Sequence, residues 1–333
     1  MNFIKLQNYL KQNNIPDFRL KQIRYAHYQE ALSGWDQVTT LSLSLREDLK
    51  IKFPWLSVDE EKLLTDKDVS KALLKLSDDL KTETVLMRYK SWITACISVM
   101  VGCPVGCLFC ATGSMGFKRN LKSEEIVDQI TYWNQKLKKE GKRVSRVVFM
   151  GMGEPFLNWE EVKKAIEIIN SPDGLGIGQR NITISTVGIT PKIRELVPFS
   201  DQINLAISLH SPFQNERERM IPVASKYLLG DLFRMSRGYV NRTRHKLFFE
   251  YALIKDFNDS EKDAREIKKL FGNEKLFHLN IIDLNPTNSN LQPTTKQRKD
   301  RFIKELKKLN IQFTIRRNLG EEIKAACGQL VVE

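Results

Sequence analysis

Apolar residues near the start of the chain recur at the spacing of amphipathic helices. Phe3, Leu6 and Leu10 share one helical face, because residues three and four positions apart lie on the same side of a helix. Asp17, which follows a proline, favours the start of a second helix. We recognise no strand pattern here, so the sequence predicts a small helical domain over residues 1–75.

From about residue 80 the pattern changes to short apolar segments separated by amphipathic helices. One helix is predicted to begin at Ser123, which can cap it, and to end at Gly141; another spans 159–170. The apolar segments are rich in β-branched and aromatic residues, as buried strands are. They cover residues 93–101, 144–150, 181–186, 203–208, 247–254, 277–282 and 312–315.

Strands that alternate with helices in this way predict a parallel sheet. About six or seven such units form a partial or full barrel of the (β/α) TIM type. We therefore predict an α/β protein with a TIM-like barrel over residues 76–333, in addition to the helical domain. Because ligands in such barrels gather where the strands end, we expect the chemistry in the loops that follow strands.

The composition favours an intracellular enzyme. With 333 residues the chain can bury a sizeable core. Its first segment is amphipathic and no stretch reaches the ~20 apolar residues of a membrane span, so we expect neither a signal peptide nor a membrane anchor. Five cysteines, three of them in one loop, argue against a secreted disulfide framework. We expect a monomeric cytoplasmic protein with reduced thiols.

The charge balance indicates a polyanionic partner. The chain has 53 Lys and Arg residues against 40 Asp and Glu residues, a formal net charge of +13. Basic residues concentrate at 11–24, 138–146 and 296–308, with Arg316 and Arg317 beyond. Each group alone is more often a solvated helix face. Together they predict contacts with RNA phosphates, and we expect the helical domain to bind RNA.

The most specific motif is Cys-x3-Cys-x2-Cys, formed by Cys103, Cys107 and Cys110. A [4Fe–4S] cluster takes one thiolate per iron, so three closely spaced cysteines suit three irons and leave the fourth open to substrate. Gly102 and Gly106 would let the short loop turn tightly, so that all three sulfur atoms point to one place. Two alternatives remain open: a zinc site, for which the nearby sequence supplies no fourth ligand, and buried core thiols.

A second motif, Gly151-Met-Gly-Glu154, follows a predicted strand. Its glycines allow close approach of the backbone to a ligand, and the Glu154 carboxylate could accept hydrogen bonds from an ammonium group. Alone, such a motif is a turn more often than a binding loop. His210, Cys96 and Cys327, each considered singly, are also more often structural than functional.

Several motifs together resemble one family. The cysteine triad is similar to the signature of the radical S-adenosylmethionine superfamily, and the other motifs resemble the RlmN/Cfr family of RNA adenine methyltransferases. They occur in the family's order over residues 83–330, about three quarters of the chain. These motifs are Gly151-Met-Gly-Glu154-Pro155, Ser185-Thr-Val-Gly188, Ser208-Leu-His210, Leu284-Asn285-Pro286 and Ala326-Cys327-Gly328-Gln329-Leu330.

The resemblance implies a [4Fe–4S] cluster held by Cys103, Cys107 and Cys110, with S-adenosylmethionine (SAM) chelated to the open iron and two SAM molecules used per turnover. It also implies an electron donor such as flavodoxin or ferredoxin, because the cluster must be reduced. The residues that it assigns to SAM binding are Gly153, Glu154, Ser185, Ser208, Leu209, His210 and Asn285.

The resemblance further assigns roles to the remaining cysteines. Cys327 would first accept a methyl group from SAM, and a 5′-deoxyadenosyl radical from the second SAM would then remove hydrogen from that methyl group. The carbon radical would add to the adenine ring, whose carbon is too weak a nucleophile to take a methyl cation. Cys96 would release the adduct by forming a transient disulfide with Cys327, and Glu83 would remove the ring proton as general base.

Two positions of methylation are open within the family. RlmN-type enzymes methylate C2 of adenine 2503 in 23S rRNA, and many also modify adenine 37 of tRNA, whereas Cfr-type enzymes methylate C8 of the same rRNA adenine and confer antibiotic resistance. Pro155 resembles the RlmN pattern, whereas Ser208-Leu-His-Ser-Pro is similar to Cfr, and Asp283-Leu284 departs from both. We predict methylation at C2 of 23S rRNA, with tRNA as a second candidate substrate.

A different class of protein is the second alternative: an RNA-binding or electron-transfer iron–sulfur protein without methyl transfer. It would require a fourth cluster ligand and no functional Cys327. For the methyltransferase, we expect the C-terminal segment that carries Cys327 to be mobile, so that it can swing over the barrel mouth.

Overall fold

The computed structural model describes residues 1–287, 289–316 and 319–331; Arg317 therefore lies outside the described residues. The helices are α1 Phe3–Gln12, α2 Phe18–Arg24, α3 Leu43–Lys52, α4 Ala111–Ser114, α5 Ser123–Leu137, α6 Trp159–Asn170, α7 Thr190–Phe199, α8 Gln214–Met220, α9 Leu229–Thr243, α10 Glu261–Phe271 and α11 Lys296–Lys308. The strands are β1 Val58–Asp66, β2 Val69–Leu76, β3 Lys81–Arg88, β4 Ile93–Cys96, β5 Met100–Gly102, β6 Phe117–Asn120, β7 Arg146–Phe149, β8 Ile182–Thr186, β9 Asn204–Ser208, β10 Leu247–Leu253, β11 Phe277–Asp283 and β12 Phe313–Ile315.

A ten-stranded sheet in the order β1-β2-β3-β4-β7-β8-β9-β10-β11-β12 forms the centre of the described structure. Strands β4 and β7 to β12 pair in parallel, whereas β1, β2, β3 and β4 pair antiparallel. This is the predicted α/β fold, with the parallel strands as a partial barrel and helices between them. In this order β1 and β12 are the two edge strands, and residues of β3, β4 and β12 line one cavity at the opening of the sheet.

Six of the predicted strands form as the parallel strands β7 to β12, whereas the strand predicted over 93–101 is divided between β4 and β5, which pairs with β6 in a separate sheet. The core of the parallel strands is apolar. Val147, Ile184 and Leu205 are each completely buried. The helix predicted from Ser123 is α5, and the Glu125 carboxylate accepts a hydrogen bond from the Lys122 amide (2.8 Å) at its start. Ser123 is thus the first helical residue and not the cap.

The prediction of helices up to residue 75 is wrong for its last part, because β1 and β2 occupy residues 58–76. Strand β1 lies at the edge of the sheet and exposes most of its charged side chains, so it lacks the apolar run of an inner strand. Strand β2 is buried, but it includes Lys71, whose ammonium group pairs with a buried carboxylate. The charged side chains of β1 and Lys71 on β2 therefore hid the strand pattern in the sequence.

The N-terminal helices pack against α5 and share the hydrophobic core of the barrel. The buried Asp128 carboxylate on α5 accepts hydrogen bonds from the Ser57 amide (2.8 Å) and lies 3.0 Å from His27 Nε2. In the part of the chain that the structure describes, no helix has the length and apolar character of a membrane span.

Candidate active site

The cysteine loop begins where β5 ends, at Gly102, and folds back on itself. The Cys103 amide donates to the Gly116 carbonyl (3.1 Å), and the Cys110 amide donates to the Cys107 carbonyl (3.1 Å). A Cβ atom on Gly102, whose φ is +73°, would lie 1.8 Å from the Gly116 oxygen. Only glycine permits this close return of the chain.

The three thiols of Cys103, Cys107 and Cys110 line one cavity, which we call the cluster cavity. All three cysteines are free and partly buried. Burial raises the pKa of the Cys103 thiol to about 12, and burial together with the two neighbouring thiols raises that of Cys107. Among the described residues, no group of three or more His, Cys, Asp or Glu side chains is arranged as a site for a single ion.

The opposite wall of the cluster cavity comes from the carboxyl ends of the parallel strands, as the barrel prediction required. The loop after β7 contributes Gly153 and Glu154, and the last residues of β8 and β9 contribute Ser185 and Ser208. Asn285, just after β11, completes this wall. The structure therefore brings the cysteine triad and these predicted SAM ligands to one cavity.

Glu154 is buried in that wall. One carboxylate oxygen accepts from the Phe156 amide (3.1 Å) and the other from the Val187 amide (2.8 Å). Burial raises the pKa of this carboxyl to about 7, although both hydrogen bonds lower it. Beside it, Gly153 has a φ of +99°, and a Cβ there would lie 2.6 Å from the Met100 side chain.

His210 lies in the cavity wall, but the adjacent Leu209 side chain does not. The ring of His210 packs 4.3 Å from that of Phe109, and its Nδ1 accepts from the Ala252 amide (3.0 Å). Burial lowers the pKa of His210 to about 3, so the ring is neutral and carries its proton on Nε2. Leu209 is fully buried in the core, so it can offer a ligand only its backbone.

The C-terminal segment 319–331 is docked over the cavity by hydrogen bonds. The Ala111 amide donates to the Gly328 carbonyl (2.8 Å), and the Thr112 hydroxyl donates to the Leu330 carbonyl (2.6 Å). The Asn285 amide group donates to the Cys327 carbonyl (2.9 Å). Mobility of this segment stays a prediction, and its docked position brings Cys327 to the cluster cavity.

Cys327 also lines a second cavity, which we call the resolving cavity, and Cys96 at the end of β4 lines it too. Cys327 is an exposed residue that lines both cavities, and burial of its thiol by the surrounding protein raises the pKa to about 11. Burial raises the pKa of Cys96 to about 12. The two cysteines are far apart in sequence, and the structure places them on one cavity.

Glu83 lies outside both cavities. One carboxylate oxygen is 2.8 Å from the Lys71 ammonium, and the other accepts from the Val331 amide (2.8 Å). The side chain is buried on β3, beneath the end of the C-terminal segment. In this arrangement Glu83 binds the segment that carries Cys327, and its role as general base stays a prediction.

Comparison with known proteins decides the family. The model described as the radical SAM superfamily matches residues 97–261. The "Ribosomal RNA large subunit methyltransferase Cfr" of Bacillus velezensis is 37% identical over 98% of this chain and 95% of its own length. The "Probable dual-specificity RNA methyltransferase RlmN" of Chlorobium phaeobacteroides is 40% identical over 96% of this chain and 90% of its own. The chain belongs to the RlmN/Cfr family of radical SAM RNA methyltransferases.

The fold agrees with that of a solved radical SAM methyltransferase from Sphaerobacter thermophilus, at a TM-score of 0.95 and 36% identity, over 100% of this chain and 98% of that one. RlmN/Cfr enzymes use a [4Fe–4S] cluster and two SAM molecules per turnover. The residues present fit both, because three soft thiols face one cavity and the Glu154 carboxylate lines the same cavity as an acceptor for the amine of SAM. When bound, the cluster supplies the electron that cleaves SAM to a 5′-deoxyadenosyl radical.

Sequence reasoning missed Arg217 on α8, which lies behind the cysteine loop of this RlmN/Cfr protein. It is fully buried, and its Nη2 donates to the Val187 and Ser208 carbonyls (2.5 and 3.2 Å). Its Nε and Nη1 have no partner among the described residues, and burial lowers its pKa to about 10. The same helix is joined to the loop, because the Leu108 amide donates to the Met220 carbonyl (3.0 Å). Only tertiary contacts identify this arginine, since its local sequence is that of an exposed helix.

Substitution of Gly102 by alanine should prevent cluster assembly. The new Cβ meets the Gly116 oxygen, and the left-handed backbone alone costs about 1–2 kcal/mol. We expect anaerobically reconstituted Gly102→Ala protein to retain less than about a tenth of the wild-type iron and sulfide. These costs favour conformations in which the loop does not fold back and the three thiols do not face one cavity.

Gly106→Ala is the matched control for Gly102→Ala. It has a similar φ of +69°, but nothing lies within 4 Å of its added Cβ, so most of the iron should remain. Equal iron contents in the two variants would contradict the steric argument.

Proposed function

We propose that this protein methylates C2 of adenine 2503 in 23S rRNA by the two-cysteine mechanism of its family. The observation that supports the two-cysteine mechanism most is the position of Cys327, which lines the cluster cavity and also, with Cys96, the resolving cavity. The choice of C2 is supported by Pro155. A carrier cysteine must be accessible both to SAM and to a resolving cysteine. One residue here meets both requirements without a change of fold.

In this proposal Gly153, Glu154 and His210 bind SAM together with Ser185, Ser208, Asn285 and the backbone of Leu209. Glu154 accepts hydrogen bonds from the amine of the methionine part, and the neutral His210 donates from Nε2. Cys103, Cys107 and Cys110 hold the cluster. Apart from Leu209, these residues line one cavity, so SAM would lie between the cysteine loop and the strand ends.

Cys327 acts first as nucleophile and must lose its proton. Burial opposes this step by raising the pKa of its thiol, whereas the positive charge of Arg316 favours the thiolate. The sulfonium of SAM adds a second positive charge in the same place. We propose that proton loss from Cys327 accompanies SAM binding for this reason.

Glu83 serves as general base in the proposal, and its contacts impose a condition. The carboxylate must leave Lys71 and the Val331 amide to reach a ring proton beside Cys96. Because the Val331 amide belongs to the C-terminal segment, movement of that segment would free one carboxylate oxygen. Base catalysis is thus linked to the position of Cys327.

The competing function is Cfr-type methylation at C8. It is favoured by the similarity to the Bacillus velezensis Cfr and by the Ser208-Leu-His-Ser-Pro motif, whereas Pro155 favours C2. Reconstituted protein should be incubated with SAM, a reductant and 23S rRNA that lacks this modification, and the nucleosides compared with 2-methyladenosine and 8-methyladenosine by mass spectrometry. Formation of 8-methyladenosine alone would overturn our choice. The family membership argues against the electron-transfer alternative.

We propose adenine 37 of tRNA as a second substrate, in line with the dual-specificity name of the RlmN relative. The protein would act as a cytoplasmic monomer, with the N-terminal helices binding RNA and flavodoxin or ferredoxin as electron donor. Methylation assays with tRNA test the second substrate, and assays with flavodoxin or ferredoxin as reductant test the electron donor.

The affinity for SAM should rise with pH across the Glu154 pKa of about 7. The raised pKa means that burial favours the protonated carboxyl in the free protein, while an amine ligand favours the ionised form. Below the pKa, the affinity should therefore fall by up to about tenfold per pH unit. Isothermal titration of reconstituted protein checks this, with Glu154→Gln as control to subtract the titration of SAM itself. The same pH dependence in both proteins would contradict a role for Glu154.

A further inference from the structure

The turn between β3 and β4 exposes two aromatic side chains next to the resolving cavity. Tyr89 and Trp92 are 39% and 38% exposed, their ring centroids are 5.3 Å apart, and the rings are tilted by 30°. The Tyr89 amide donates to the Trp92 carbonyl (2.9 Å), so the turn is fixed by the backbone. The two rings form a rigid surface, which we call the aromatic step.

Two basic residues border the aromatic step. The Arg146 guanidinium lies 4.1 Å from the centroid of the Trp92 ring, and Lys90 is exposed between the two aromatic residues. Neither has an acidic partner within 4 Å in the described ranges, whereas the neighbouring Arg88 pairs with Glu140. The cations beside the aromatic step are therefore available to an anionic ligand.

The aromatic step lies at the edge of the resolving cavity. Tyr89 and Lys90 line this cavity together with Cys96 and Cys327. On the facing side the same cavity is lined by Thr314 and Ile315 of the edge strand β12. The cavity thus extends from the two reacting cysteines to the opening of the sheet, where the aromatic step is exposed.

We propose that the aromatic step stacks on the nucleotides next to the target adenine as that base enters through the opening of the sheet. Aromatic rings with unpaired cations beside them match the two chemical components of single-stranded RNA, the base faces and the phosphates. An adenine placed in the resolving cavity lies beside Cys327, where the carbon–carbon bond must form. The inference rests on the proposed function, and it names Tyr89 and Trp92 as RNA-binding residues.

A local role of the rings is the main competing explanation, since an aromatic pair across a turn also stabilises a hairpin. That role would not need Lys90 and Arg146 to lack an acidic partner, nor Tyr89 to line the resolving cavity. It also predicts a different experimental result. Loss of the pair would lower the melting temperature and the iron content, and would leave the dependence on RNA concentration unchanged.

The experiment compares wild type with Trp92→Ala, Tyr89→Ala and Trp92→Phe, each reconstituted with cluster. We expect the alanine variants to raise KM for an RNA hairpin that contains the target adenine by about tenfold, with little change in kcat, and Trp92→Phe to remain close to wild type. Arg146→Gln should reduce the salt dependence of RNA binding. An unchanged KM in both alanine variants, with normal iron content and melting temperature, would overturn the inference.

Two further outcomes are distinguished by the same assay. Loss of rate in Trp92→Ala only with a protein reductant, and not with dithionite, would identify the aromatic step as a docking site for the electron donor and would also overturn the inference. Failure of wild type to methylate RNA would contradict the proposed function itself. Direct RNA binding by the wild-type and variant proteins then tests the aromatic step independently.

Discussion

Replacement of Cys96 by alanine should leave the protein covalently joined to RNA. In the proposed mechanism the methylene carbon links the Cys327 sulfur to the adenine ring. The Cys96 thiolate attacks the Cys327 sulfur, so a disulfide forms while the sulfur–carbon bond breaks, and the carbon keeps the electron pair and takes up a proton to become the methyl group. Among the described residues that line the resolving cavity, Cys96 and Cys327 are the two thiols. Without Cys96 the adduct has no nearby sulfur to release it, so it should accumulate.

The adduct can be measured on a denaturing gel and by mass spectrometry of nuclease-treated protein. The Cys96 side chain is small, so its truncation should cost only about 1 kcal/mol of stability. The double variant Cys96→Ala, Cys327→Ala provides the control, because it lacks the attachment point and should remain free of RNA. Free RNA alone in the Cys96→Ala reaction, together with a normal yield of methylated product, would remove Cys96 from its resolving role.

The sequence is sufficient to predict the parallel part of the fold, because the inner strands carry apolar residues that are completely buried, such as Ile182 and Ile184 on β8 and Leu205 on β9. It does not predict β1 and β2, because an edge strand tolerates charges and because Lys71 on β2 is compensated by a residue of the neighbouring strand β3. A buried ion pair depends on tertiary contacts, and those are not visible in local periodicity.

The candidate site also has a part that the sequence predicts and a part that it does not. The cysteine loop and the Gly153 loop are local, and their residue types follow from the close backbone approaches at Gly102 and Gly153. Cys96 and Cys327 line one cavity although they are far apart in the sequence, and only the family resemblance connected these two residues. The contacts of Glu83 and the buried Arg217 had no signal in the sequence, because each depends on elements distant along the chain.

Replacement of Cys327 by serine should abolish RNA methylation while the cluster is retained. A serine hydroxyl is a far weaker nucleophile than a thiolate at neutral pH, so the first methyl transfer should fail. The cluster ligands Cys103, Cys107 and Cys110 are separate residues, and the Cys327 carbonyl that accepts from Asn285 remains in place. Iron content and SAM cleavage to 5′-deoxyadenosine should therefore persist, while the rate of methylated RNA formation falls by about three orders of magnitude or more.

SAM with a labelled methyl group separates the carrier role from the resolving role. Label should be found on the wild-type and Cys96→Ala proteins before RNA is added, and it should be missing from Cys327→Ser. Label on Cys327→Ser, or RNA methylation by it, would mean that another residue carries the methyl group. Label on Cys327 in the Cys96→Ala protein, followed by a trapped adduct, would assign the two cysteines to successive steps, because methyl acceptance requires the cluster cavity and release requires the resolving cavity.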